Sequence, residues 1–83
     1  MSGWIEPALP VLMWEVRAAP GRLADLVRHV AAVIPPGAEI YRSPTGDGDE
    51  RLVVVDPARA PVPDLPSELT ARPPYAWEFE RVW

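Results

Sequence analysis

The sequence predicts a small α+β domain with the element order β-α-β-β-(short α)-β, and three observations carry that prediction. Val11 to Gly37 reads VLMWEVRAAPGRLADLVRHVAAVIPPG: an alternating strand, a Pro-Gly turn, an amphipathic helix and a double-proline stop. Arg51 to Asp56, RLVVVD, is apolar at successive positions, as in a strand buried on both faces. Tyr75 to Trp83, YAWEFERVW, alternates again.

Met1 to Pro10 holds Trp4 and Ile5 ahead of Pro7 and Pro10. The prolines exclude a helix and restrict any strand to an edge, so this stretch is expected to be an arm packed on an apolar surface. The domain proper is expected to run from Val11 to Trp83. From Val11 to Ala18, Leu12, Trp14 and Val16 point one way, and Val11, Met13, Glu15 and Arg17 the other. One face is wholly apolar; the second begins apolar and ends charged.

Pro20 suits the first position of a helix, where its missing N–H costs nothing. Leu23, Leu26, Val27, Val30 and Ile34 then recur at helical spacing, with Arg22, Asp25, Arg28 and His29 opposite. Asp25 lies four residues before His29, a spacing that allows a surface pair. Pro35 disfavours helix at Ile34, and Gly37 can take positive φ. Ala38 to Ser43 is expected to be a short strand with Ala38 and Ile40 on one face and Glu39 and Tyr41 on the other. Pro44 to Glu50 is a turn cluster leading into Arg51 to Asp56. Six prolines between Pro57 and Pro74 exclude a long second helix there. Asp64 to Thr70 can still make a turn or two, with Leu65 and Leu69 inward. This is the split-βαβ, ferredoxin-like order, and right-handed crossovers then place the first and third strands at the centre of a four-stranded antiparallel sheet.

At 83 residues there is room for one domain with a modest core. Domains of this size often draw on a disulfide, a metal or a partner chain. The chain has no cysteine and a single histidine, so a disulfide and a protein-built zinc site are both set aside, and self-association is what is left. No metal or cofactor is expected. Net charge is −4 with acidic and basic residues interspersed, which argues against a nucleic-acid partner. No apolar run is long enough to span a membrane and the start has no basic leader, so the expected location is the cytoplasm. All eight basic residues are arginine, and lysine, asparagine and glutamine are absent, the pattern of a GC-rich coding sequence such as an actinobacterial one.

The segment WEVRAAPGRLADLVRHVAAVIPPGAEIYRS resembles the first half of the antibiotic-biosynthesis-monooxygenase-like, dimeric α/β-barrel superfamily. There a strand leads through a Pro-Gly turn into a helix that stops before a Pro-Gly and a second strand. The resemblance covers about a third of the chain and implies a ferredoxin-like protomer whose sheet packs against that of a partner. It lapses after Asp56, where the second helix is reduced to the proline-rich segment. Haem-degrading members use an asparagine, a tryptophan and a histidine; this chain has no asparagine, so that chemistry is not carried over. Cofactor-free oxygenase members place aromatic and basic residues around an apolar pocket. Trp14, Tyr41, Arg42 and Trp77 are of those types, without occupying matched motif positions.

Other candidates have plain structural explanations. His29 is the only imidazole and falls on the polar flank of the helix, where a solvated histidine is the simplest account. Asp47-Gly-Asp49-Glu50 has part of the look of a calcium loop but lacks its ligand spacing, and a hairpin turn explains it. Glu15, Glu78 and Glu80 can meet across the sheet if the first and last strands are neighbours; cross-strand pairing with Arg17, Arg42 or Arg81 is the simpler account. Pro63-Asp-Leu-Pro66 is a chance match in so proline-rich a chain. Four tryptophans are an excess of the kind interfaces use, with Trp14 and Trp77 expected in the core and Trp4 and Trp83 at a subunit boundary.

The resulting expectation is a homodimer joined through Val11, Met13, Val53, Val55, Trp4 and Trp83. The ligand-binding candidates are Trp14, Tyr41, Arg42, Trp77 and His29, and no catalytic set is identified. The function expected is that of a non-catalytic or accessory member binding a small apolar ligand or a partner protein. The alternative is a cofactor-free monooxygenase or cyclase acting on an aromatic metabolite.

Overall fold

The computed structural model describes residues 9–44 and 50–82. Five longer elements and one short one follow in the order β1 (Leu9–Arg17), α1 (Leu23–Val33), β2 (Glu39–Arg42), β3 (Arg51–Asp56), η1 (Ser67–Leu69) and β4 (Tyr75–Arg81). The strands form one antiparallel sheet in the order β2-β3-β1-β4. This is the ferredoxin-like arrangement, with β1 and β3 central as the apolar pattern of RLVVVD requires. Of the sequence-predicted arm, residues 1–8 lie outside the described residues, as do Trp83 and the turn residues 45–49. Leu9 and Pro10 extend β1. Leu9 to Val11 pair with β4 alone, because the β3 partnership begins at Leu12 opposite Asp56, and this places Pro10 where no β3 strand needs its missing N–H.

The helix is bracketed by two turns of the same design. At its start, the Arg22 N–H donates to the Ala19 carbonyl at 2.9 Å, with Pro20 and Gly21 at the corners and Gly21 at φ +75°. At its end, the Ala38 N–H donates to the Pro35 carbonyl at 3.3 Å, with Pro36 and Gly37 at the corners and Gly37 at φ +89°. Proline presets the first corner and glycine alone takes positive φ at the second without strain. Pro20 is therefore a turn residue and not the first residue of the helix, which begins at Leu23, three residues later than a first-position proline implies. Ile34 is extended (φ −82°, ψ 154°), as the residue before a proline prefers.

The apolar stripe of α1 buries Leu23, Leu26 and Val30 against Trp14, Val16, Leu52 and Val54 of the central strands, with Val27 and Ile34 at the margin. Trp14 is 2% exposed and is the largest side chain in this core. The proline-rich segment replaces a second helix. Val62, Leu65 and Leu69 pack against the same core, and Leu69 sits at the end of η1. Two backbone bonds stitch this segment to the end of β1: Ala19 N–H to the Leu69 carbonyl at 2.9 Å, and Ala71 N–H to the Arg17 carbonyl at 2.8 Å.

Asp56, 2% exposed, closes β3. Its Oδ1 accepts the Ala58 N–H at 2.8 Å and its Oδ2 accepts the Ala60 N–H at 2.9 Å. The carboxylate thus folds the chain back at the strand end, with Arg59 at φ 54°. Arg59 Nη1 then donates to Glu78 Oε2 at 2.9 Å, linking this turn to β4.

Leu26 is fully buried between helix and sheet, and Leu26→Ala is expected to cost roughly 2–5 kcal/mol by opening a cavity there. Urea denaturation checks this: a midpoint equal to wild type would mean that α1 does not hold the sheet as described.

Candidate functional site

Among the described residues, no helix lies over the second face of the sheet. Residues opposite one another across a strand pair share a face, so the register identifies the side chains on this one. Trp77, Met13, Val55 and Glu39 form one row across the four strands, and Tyr75, Glu15, Val53 and Tyr41 form the next. Phe79 and Val11 continue the apolar part, and Arg81 and the Arg17–Arg51 pair lie at its two ends.

The alternation of YAWEFER makes β4 the richest strand of this face. Tyr75, Trp77 and Phe79 stack in sequence, with ring centroids 4.7 Å and 6.5 Å apart and planes tilted by 51° and 50°. Tilted pairs at these separations suit the ring quadrupole. The three rings are 64%, 40% and 49% exposed. Trp77, expected in the core beside Trp14, is therefore on the opposite face from it, because Trp14 lies opposite Ala76 and Trp77 opposite Met13.

Among the described residues, recesses border this face. One of 380 Å³ is lined by Glu15, Arg17, Arg72, Pro73, Tyr75 and Trp77 among others. It forms where the chain departs from the ladder: Glu15 pairs with Tyr75 and Ala18 with Thr70, so two residues of the first strand span four of the second, and Arg72-Pro73-Pro74 bulges out. A second, of 450 Å³, is lined by Val11, Gly37, Glu39, Val55, Pro57 and Arg81. A third, of 360 Å³ at the β2 edge, includes Tyr41, Arg42, Glu15, Arg51 and Val53.

The sequence-predicted ligand residues are thus dispersed. Tyr41 and Arg42 share one recess and Trp77 lines another. Trp14 is enclosed in the core on the other side of the sheet, and His29 is half-buried midway along α1. The Asp25 carboxylate is engaged by Arg22 at 3.0 Å and Arg28 at 3.3 Å, so the pairing that its spacing to His29 allows does not form. Glu15, Glu78 and Glu80 do not crowd: β1 and β4 are neighbours, but Glu78 lies opposite Leu12 and Glu80 opposite Pro10, on the helix side, whereas Glu15 lies opposite Tyr75 on the open side. Glu78 pairs with Arg59. Val11, Met13, Val53 and Val55 all lie half-buried on the open face, while Trp4 and Trp83 fall outside the described residues. Tyr75 and Phe79 were not singled out by the sequence reading, although their i, i+2 spacing around Trp77 carried the signal.

One titrating group on this face is shifted. The Glu39 carboxylate, two residues from Tyr41, holds the Tyr41 hydroxyl above its ordinary value of 10.0, first by repelling the phenolate, then by accepting the hydroxyl's hydrogen bond, with a small contribution from lost solvation. Among the described residues, no group of three or more acidic or histidine side chains is placed to hold a metal ion, and no helix is long and apolar enough to cross a membrane. Comparison with protein-family models, with curated proteins and with solved structures finds no match to this chain.

A raised value means that the folded chain holds the Tyr41 proton more tightly than the unfolded chain. Any stabilisation from this is present below pH 10 and fades as pH rises through the folded value. In a Tyr75→Phe background, ultraviolet titration of Tyr41 is expected to show a midpoint above 10.0 that falls when Glu39 is changed to Gln. An unchanged midpoint would show that Glu39 is not the cause.

Proposed function

We propose that this chain is a non-catalytic binding module that works as a homodimer with the two open sheet faces against each other, holding a small apolar ligand at their margin. The observation that carries the reading is the face that no described element covers: the Tyr75–Trp77–Phe79 ladder beside Val11, Met13, Val53 and Val55. Contiguous apolar area of this kind marks an interaction surface. A second copy suits it because the surface is self-complementary in charge. Glu15 and Glu39 lie among the apolar rows while Arg51 and Arg81 lie at the ends, so a two-fold rotation can bring carboxylates of one copy to guanidinium groups of the other. The resemblance of the first half to the monooxygenase-like superfamily supports the same assembly. The bordering recesses, 380 and 450 Å³, are of the size that small ligands occupy, and stacking would roof them.

The enzymatic alternative, a cofactor-free oxygenase or cyclase, needs polar groups converging on one apolar pocket. Its candidate residues are instead divided between the two sides of the sheet, which favours the binding reading.

Met13 is at the centre of the open face, between Val55 and Trp77. Wild-type protein at micromolar concentration is expected to sediment above the mass of one chain, and Met13→Asp is expected to lower that mass while leaving the circular dichroism of the fold intact. Naphthalene, a probe of the apolar class, is expected to bind the wild type in calorimetry and to lose most of its affinity for Met13→Asp. A wild type that sediments as a single chain throughout overturns the reading.

A further inference from the structure

The edge of β4 carries an inference separate from the face. In an antiparallel ladder each residue turns both its N–H and its C=O to one side, and successive residues alternate sides. Two bonds fix which side is which on β1. The Ala18 N–H reaches the Glu50 carbonyl on the β3 side at 2.9 Å, and the Arg17 carbonyl accepts the Ala71 N–H on the β4 side at 2.8 Å. The odd-numbered residues of β1 therefore bond to β4, and through the register their partners are Tyr75, Trp77, Phe79 and Arg81. Ala76, Glu78 and Glu80 are left turning their N–H and C=O groups outward. β4 ends the sheet among the described residues, and from Tyr75 to Arg81 it contains no proline or lysine of the kind that blunts an exposed edge.

We propose that this edge pairs with the same edge of a second copy, antiparallel about a two-fold axis at Trp77, so that two four-stranded sheets join into one of eight strands. Charge and Pro74 together select the register, because centring on Ala76 or Tyr75 would put Pro74, which lacks an N–H, among the central outward pairs. Outward-turned residues must face outward-turned residues, and registers centred on Glu78, Phe79 or Glu80 set carboxylates against carboxylates, which is unfavourable. Centring on Trp77 sets Ala76 against Glu78 of the second copy, twice over, and no two carboxylates meet. On the open face the same register sets Trp77 against its own symmetry mate and Tyr75 against Phe79 of the second copy. The three-ring ladder thereby becomes six rings across the join, in the close, non-hydrogen-bonded positions where aromatic pairs contribute most. Pro74, which has no N–H to offer, ends the paired stretch. This contact uses the strand edge and is compatible with face-to-face stacking but does not depend on it.

The chain has no cysteine, so single-cysteine variants report the contact cleanly. Ala76 and Glu78 lie on the helix side of β4, away from any stacked face. Across the proposed join their Cα atoms would be about 5.5 Å apart, the separation of a hydrogen-bonded antiparallel pair and within disulfide range. An equimolar mixture of Ala76→Cys and Glu78→Cys is expected to form several-fold more disulfide-linked heterodimer under mild oxidation than either variant forms homodimer. In unmodified protein, the Ala76 and Glu78 amides are expected to exchange with deuterium at least tenfold more slowly at high concentration than after dilution. A mixture that links no better than the single variants, or amides that exchange at the rate of solvent-exposed groups at every concentration, overturns edge pairing. Either result leaves the Met13→Asp test of face stacking untouched.

Discussion

A four-stranded sheet has two faces, and the described residues supply one helix and one proline-rich strap to cover them. Both lie on the same side. Leu23, Leu26 and Val30 from the helix and Leu69 from the strap meet Trp14, Val16, Leu52 and Val54, and these residues make up most of the buried core. With eleven residues in α1 and three in η1, nothing remains within the described chain to cover the other face. The half-buried valines and the exposed aromatic ladder follow from that imbalance. A long second helix would ordinarily lie over the flank that β4 occupies in this order of elements. Its reduction explains why every residue of β4 is exposed although the strand is hydrogen-bonded along its whole length.

The strap is held by polar groups at its two ends. At the first, Asp56 gives both carboxylate oxygens to backbone N–H groups, and such charge-assisted bonds are stronger than neutral ones. At the second, the backbone of residues 69–71 is bonded to the end of β1. Between them, Arg59 reaches Glu78 in a pair that is half exposed or more at both partners, so its direct contribution to stability is small. Its consequence is positional: it ties the turn after β3 to the edge strand and occupies the Glu78 side chain, while the outward N–H and C=O of Glu78 stay available.

Much of the fold was legible in the sequence because the signals were local. RLVVVD marks β3 at the bounds it has, since a strand apolar on both faces can sit only in the middle of a sheet. The helix stripe reads correctly from Leu23 to Val30, and Pro35 ends it as pre-proline sterics require. The helix start is ambiguous in the sequence because proline serves equally well at a first helical position and at a turn corner. Only the 2.9 Å bond across Ala19–Arg22 and the positive φ of Gly21 decide between them. The candidate ligand residues were less legible. Their types suggested one pocket, but residue type says nothing about which side of a sheet a side chain takes.

By itself, the sequence determined the period of each segment, the positions where the chain must turn and the side chains that share a face within one strand. These follow from backbone geometry and from the conformational limits of proline and glycine, which act over a few residues. Only the tertiary structure decided how the faces of different strands combine, because register is a relation between segments far apart in sequence and a slip of one residue exchanges the faces. The register put Trp14 under the helix and Trp77 on the open side, and it separated Glu15 from Glu78 and Glu80. It also turned the backbone of Ala76, Glu78 and Glu80 toward the edge that no described strand pairs with.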